Sequence, residues 1–243
     1  MDNSAESSGA VYVFARSGTT WAQQAYVKAS NTDDGDQFGW SVALNHDGTT
    51  LAVGAQSEAS GGAGINANQA DNAAADAGAA YVYVRRGTAW SQQAYIKASN
   101  AQGGDRFGFC LSLSGDGNTL SVCGYDEDGG ATGVNGPQNE GAGGSGAAYV
   151  FVRRGTAWSE EAYVKASNTA PNAAMGSSIA LSADGNTLAV GSADEDSLSP
   201  GVDGNQSYAP VNEGSAGAVY VYGRANGVWV QQAYVKPFNP GPF

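Results

Sequence analysis

A unit of 47 residues, written three times and then begun again, constrains this chain more than any other feature of its sequence. Its clearest copy runs from Gly78 to Gly124 and contains AAYVYVRRGTAW, AYIKASN and DRFGFCLSLSGDGNTLSV. Tyr12, Tyr81, Tyr149 and Tyr220 mark successive copies at intervals of 69, 68 and 71, and Trp21, Trp90, Trp158 and Trp229 repeat those intervals. The intervals differ only because the segments 56–77, 125–145 and 193–216 are 22, 21 and 24 residues long; removing them leaves 47 each time. Every change of length therefore falls in one connection. A fixed scaffold with one variable loop is how repeat architectures carry their specificity.

Each copy reads as four short strands. GAVYVF (9–14) and WAQQAYVKAS (21–30) place aromatic and β-branched residues in alternation around a glycine turn, which predicts a hairpin, here called the tyrosine hairpin. QFGWSVAL (37–44) and LAVGA (51–55) flank NHDGTT, and the Asp-Gly step at 47–48, repeated at 116–117 and 184–185, predicts a second, Asp-Gly hairpin. The chain thus holds one tyrosine hairpin followed by three Asp-Gly and tyrosine pairs, 14 strands in all. Four-stranded antiparallel units linked in this way are the blades of a β-propeller, whose ring leaves only short edges exposed. The predicted fold is all-β: an N-terminal two-stranded half-blade over 9–30, full blades over 37–99, 106–167 and 175–236, and a proline-rich tail over 237–243. Lys28, Lys97, Lys165 and Lys236 fall on the outermost strand, where a charge is expected to discourage edge pairing. The long variable loops share one face with KASNTDDGDQ, KASNAQGGDR and KASNTAPNAA, and that face is the expected working surface.

The charge balance sorts partners. Net charge is −12, and the three variable loops hold 12 acids with no Lys or Arg, while the rest of the chain has 11 charges of each sign. Acidic loops argue against nucleic acid and anionic membrane and leave cations or basic proteins. The longest apolar runs, such as AAYVYV at 79–84, are of strand length, so no membrane insertion is expected. MDNSAESSG has neither a basic start nor an apolar run, so the chain as given shows no secretory signal. Residues 2–9 resemble DNAAADAG at 71–78, so the chain opens in mid-loop and reads as a fragment or as a subunit that assembles with others.

With FG, LAVGA and GAAYVY in phase, the sequence resembles FG-GAP repeats, as in the integrin alpha-chain N-terminal propeller and tandem repeats of secreted bacterial proteins. The matching residues are Phe38-Gly39, Phe107-Gly108 and Met175-Gly176, then Leu51 to Ala55, Leu120 to Gly124 and Leu188 to Ser192, and the resemblance covers nearly the whole chain. It implies a propeller used extracellularly or at the cell surface for adhesion or protein binding. Propellers of that family usually have seven blades, against three and a half here. Many integrin-type repeats also carry a calcium loop, DxDxDG with a further acid, between the first two strands of a blade. NHDGTT, SGDGNT and ADGNT keep one Asp each, so that site reads as lost and its Asp-Gly as a turn.

A different cation site is suggested where the variable loops begin. Asp126, Glu127 and Asp128 are followed by Asn135, and Asp194, Glu195 and Asp196 by Asp203, oxygen-rich sets suited to Ca²⁺. The first loop has Ser57, Glu58 and Ala59 there, so two blades qualify. Glu58, Asp71, Asp76, Glu140 and Glu213 extend an acidic binding face, and Trp40, replaced by Phe109 and Ser177 in the other copies, is assigned to an exposed edge with them. Cys110 and Cys123 are equidistant from the Asp116-Gly117 turn and so lie opposite each other across a hairpin. Cross-strand Cα atoms about 4.5 to 5.5 Å apart are within disulfide range. A disulfide, and with it an oxidising compartment, is expected.

No catalytic constellation is visible: the one histidine, His46, sits on a turn, and no GxSxG, HExxH, P-loop or CxxC occurs. The expected function is non-enzymatic, an extracellular propeller whose acidic loop face binds a protein, with Ca²⁺ as a possible aid. Two alternatives stand beside it. One is a structural subunit whose incomplete propeller self-associates into a ring, filament or surface layer. The other is a lectin-like propeller whose in-phase tryptophans stack carbohydrate, although that phase favours blade packing.

Overall fold

A computed structural model of the chain describes residues 4–207 and 215–239. Those residues contain no helix, and hence none able to cross a membrane; 15 strands form four antiparallel sheets. β1 (Val11–Ser17) and β2 (Thr20–Val27) make a two-stranded sheet. β3 (Ser41–Leu44), β4 (Thr50–Ala55), β5 (Ala79–Arg86) and β6 (Ala89–Ile96) lie side by side in chain order in the next. β7 (Phe107–Leu113), β8 (Thr119–Gly124), β9 (Ala147–Arg154) and β10 (Ala157–Val164) repeat that order. In the last sheet β11 (Met175–Leu181), β12 (Thr187–Ser192), β14 (Ala218–Ala225) and β15 (Val228–Lys236) do the same, with β13 (Gly201–Val202) added beyond β15. The result is a partial propeller of one half-blade and three blades. First strands meet first strands, β3 against β7 and β7 against β11, so the Asp-Gly hairpins are innermost.

The apolar core lies between blades rather than within one. Ala52, Val82 and Ile96 of the second sheet pack with Phe107, Leu120 and Tyr149 of the third, and Val150 and Val164 of the third with Met175, Leu188 and Tyr220 of the fourth. Burying one such large side chain stabilises by about 1.5 to 3 kcal/mol, which a lone blade could not gain.

The same seam explains the signature dipeptides. Gly78 forms a parallel bridge with Phe107, and at its φ of +77° a Cβ would sit 2.0 Å from the Phe107 carbonyl oxygen. Gly108, at φ +91°, would put a Cβ 2.3 Å from the Ala79 carbonyl oxygen. Only glycine fits either position. Phe-Gly of one blade and Gly-Ala of the blade before it are thus two halves of one contact.

The fifteenth strand was absent from the sequence expectation, and it reveals how the outer edge is covered. Each variable loop lays a short strap on the last strand of its blade: Ile65 bridges Ile96, Val134 bridges Val164, and Val202 pairs with Val235. The next residues, Asn66, Asn135 and Asp203, turn the chain at φ of +54°, +56° and +53°, and their Oδ1 atoms accept the backbone N–H of Tyr95, Tyr163 and Tyr234. The lysines do not guard that edge, contrary to expectation. Lys97, Lys165 and Lys236 are buried, because each meets an internal carboxylate. Cys110 and Cys123 are bonded across the β7–β8 hairpin, with Cα atoms 5.3 Å apart.

Candidate functional site on the loop face

Where the variable loops leave the second strand of each blade, one arrangement repeats three times. Lys97 Nζ meets Glu58 Oε2 at 2.8 Å, Lys165 meets Glu127 at 2.6 Å, and Lys236 meets Glu195 at 2.5 Å, all six side chains being at most 1% exposed. The other carboxylate oxygen accepts the amide of Asn31, Asn100 or Asn168, at 2.7, 2.9 and 2.7 Å, an asparagine that belongs to the preceding blade's KASN. That amide's own oxygen accepts the phenol of Tyr81, Tyr149 or Tyr220. One KASN therefore works in two directions: its lysine binds the glutamate of its own blade and its asparagine the glutamate of the next.

The electrostatics follow from burial. Loss of water pulls the Lys97 and Lys165 ammonium groups below the ordinary lysine range, while the facing glutamates oppose the shift. Burial likewise raises the Tyr81 and Tyr149 phenols, which stay protonated as donors. Asp36 and Asp105, just before the Phe-Gly pairs, are pushed up to about 6 and about 7, chiefly by burial.

The expected cation sets are separated by this arrangement. Glu127 and Glu195 turn inward to lysine, as does Glu58 of the expected binding face. Asp126 pairs with Arg106 at 3.1 Å, and Asp128 accepts the Gly144 N–H at 2.7 Å. Asn135 and Asp203 hold backbone under the straps. Among the described residues no three acidic, histidine or cysteine side chains converge as metal ligands would. Asp76 and Glu140 are exposed, Asp71 is half-buried, and Glu213 lies outside the described residues. Trp40 is 53% exposed beside β3, its ring 6.1 Å from Phe109.

Three of the in-phase tryptophans are blade packing. The indole N–H groups of Trp90, Trp158 and Trp229 donate to Gln24, Gln93 and Glu161 on the last strand of the preceding sheet. Arg85, Arg153 and Arg224 lie over the same rings, 5.4 to 5.9 Å from their centroids.

Successive four-stranded sheets, sealed by Phe-Gly against Gly-Ala and varying in length on one face only, define a β-propeller repeat array. The FG-GAP repeat model matches residues 21–83 and 90–151, 125 of the 243 residues, and the chain belongs to that family. Each match runs from the last strand of one sheet to the third strand of the next, so the sequence repeat straddles the seam described above. No curated protein matches the chain. FG-GAP propellers typically serve protein binding and adhesion.

Proposed function

We propose that this chain is a non-enzymatic binding module that acts outside the cell or at its surface and takes a basic protein partner on its acidic loop face. The observation that carries this reading is a division within each variable connection. From Glu58, Glu127 and Glu195 to Asn66, Asn135 and Asp203 the spacing is eight residues every time, and those residues are tied into the fold. From there to Gly78, Gly146 and Gly217 the spacing is 12, 11 and 14. Asp71, Asp76, Glu140 and Glu213 all fall in this second stretch. Variable length joined to exposed charge, here at Asp76 and Glu140, is what a partner-reading surface on a fixed scaffold requires. The Cys110–Cys123 bond supports an oxidising compartment. Calcium enters this reading only through Asp126 with Asp128 and Asp194 with Asp196, since the glutamates between them face lysine.

The test is association of the immobilised chain with a panel of basic extracellular proteins, followed in time at two salt concentrations. Asp76→Asn with Glu140→Gln removes two exposed charges without touching the buried pairs. Association is expected to slow several-fold in that variant and in high salt, since surface charge acts mainly on encounter. Binding that ignores both changes overturns the assignment of this face.

A further inference from the structure

One of the buried clips differs from its copies in how the lysine is held. Lys165 Nζ has three acceptors, Glu127, Ser145 Oγ and the Gly146 carbonyl, at 2.6, 2.7 and 2.6 Å. Lys236 has the Glu195 carboxylate at 2.5 Å and the Glu195 carbonyl at 3.3 Å. Lys97 has Glu58 Oε2 alone among the described residues, and Ala77 stands where the next copy has Ser145. Lys97 is fully buried, so bulk water does not supply the missing acceptors. An ammonium with three N–H groups and one acceptor is the form that burial penalises, and burial weakens its hold on the proton. Its one partner, Glu58, is where that proton goes, and both groups are then neutral.

The second oxygen of that carboxylate faces an amide. Glu58 Oε1 accepts Asn31 Nδ2 at 2.7 Å, and Asn31 Oδ1 accepts the Tyr81 phenol at 2.6 Å. One carboxylate thus holds an amine on one oxygen and a carboxamide on the other. Tyr81 is fully buried, and burial keeps its phenol protonated. The set comprises a desolvated amine nucleophile, a proton relay between nucleophile and leaving group, and an O–H donor on the oxygen where negative charge develops. Asn31 is half-buried, which gives a small leaving group a way out.

We infer that Lys97 and Asn31 form an isopeptide bond, with Glu58 as the proton relay and Tyr81 as the oxyanion donor. Glu58 takes a proton from Lys97, and the freed Nζ lone pair attacks Asn31 Cγ. The Oδ1 of the resulting tetrahedral carbon carries the negative charge and faces the Tyr81 O–H. Glu58 then passes its proton to Nδ2 and takes another from Nζ. The Cγ–Nδ2 bond breaks, ammonia leaves, and an amide N–H joins Nζ to Cγ, with Glu58 left protonated beside it. No oxidant or cofactor enters. Lys165 and Lys236, each with a further acceptor, keep their protons and remain ion pairs. The bond ties the chain just after β6 to the chain after β2, across the seam between their two sheets. It is independent of the loop-face reading, and the failure of either leaves the other standing.

The test is the intact mass of the full chain, folded, then reduced and denatured, with a tryptic map of the same sample. The bond makes the chain about 17 Da lighter than its sequence mass, the ammonia lost. Trypsin then fails to cut after Lys97 and releases residues 29–85 joined to 87–106. The joined fragment separates this bond from ammonia lost by ring closure at Asn135-Gly136, which leaves the cut after Lys97 intact. A chain of full sequence mass, or one cut normally after Lys97, overturns the inference. Two variants probe the route. Glu58→Gln removes the relay and should keep the full mass. Ala77→Ser leaves every buried pair in place and offers Lys97 the acceptor that Lys165 has, and it should slow the mass loss roughly tenfold or more. A joined fragment in Glu58→Gln, or mass loss in Ala77→Ser as fast as in the wild type, also overturns it.

Discussion

Replacing Lys165 by Met isolates the contribution of one buried clip. Its ammonium donates to Glu127, Ser145 and the Gly146 carbonyl at 2.6, 2.7 and 2.6 Å, and neither charged partner is more than 1% exposed. The thioether fills most of the same volume, so the main consequence is a carboxylate left in the interior with only the Asn100 amide and the Tyr163 phenol as donors. Breaking a buried pair by removing one member costs about 3 to 5 kcal/mol, whereas an exposed pair is worth at most about 1 kcal/mol. For a chain of this size each kcal/mol lowers the melting temperature by about 2 to 4 °C, so a fall of about 6 to 20 °C is expected. Glu127→Leu should cost a similar amount through the stranded ammonium. The double variant should recover much of the loss, because no charge is then left unpaired. Calorimetric melting of the four proteins closes the cycle. A loss under about 1 kcal/mol for Lys165→Met, or strict additivity of the two changes, would refute the claim that this pair acts as a buried unit.

Two further perturbations address the seam between blades. Asp105, which titrates at about 7 rather than at the ordinary 3.8, binds its proton more tightly in the fold than in the unfolded chain. Its stabilising effect is therefore full below about pH 4 and lost as pH rises through 7, an effect of at most about 4 kcal/mol at about 1.4 kcal/mol per tenfold change in proton affinity. Melting temperature should fall between pH 5 and pH 8, with a smaller contribution of the same sign from Asp36 at about 6, and Asp105→Asn should flatten the larger part. A wild-type curve that rises over this range contradicts the assignment. Gly78→Ala forces a Cβ to 2.0 Å from the Phe107 carbonyl, whereas Gly87→Ala in a turn meets nothing within 4 Å and carries only the strain of its φ of +64°. The first should lower stability by well over the roughly 1 to 3 kcal/mol of positive-φ strain that both share. Equal losses in urea titrations would show that the close approach does not matter.

The strands and their grouping were legible because the signals were local. Alternating aromatic and β-branched residues around Gly87, and Asp-Gly steps whose Asp47, Asp116 and Asp184 side chains each cap the turn, depend on neighbours a few positions away. The disulfide was legible for the same reason, as a distance counted along one hairpin. The clip was not, since Glu127 meets a lysine 38 positions later and an asparagine 27 positions earlier. A signal was nonetheless present. In Asp126-Glu127-Asp128, Asp194-Glu195-Asp196 and Ser57-Glu58-Ala59 only the central acid persists in all three copies, as does the lysine of each KASN or its equivalent. A solvated acidic loop has no reason to keep one acid in phase, and a buried pair does. The straps were missed because two bridged residues carry too little periodicity to read as a strand.

Taken with the seam, the clip explains why the unit tolerates insertion at one point only. The loop leaves its second strand pinned at the glutamate, is pinned again at the strap, and re-enters the sheet at a glycine whose neighbour across the seam admits no side chain. A residue added between the first two pins would pull Glu127 from Lys165 or Asn135 from the Tyr163 backbone, and either strands a buried polar group at a cost of several kcal/mol. Added between strap and glycine, it meets solvent and costs only the slowly growing entropy of a longer loop. The spacings of 12, 11 and 14 there show that the scaffold leaves the length of this stretch open, even where single side chains such as Ser145 in it are buried and hold the clip. Of the acids found in that stretch, Asp71 accepts the Gly61 and Ala73 N–H groups and so serves the loop, whereas Asp76 and Glu140 are exposed and their charge is not consumed by the fold, unlike that of Glu58, Glu127 and Glu195.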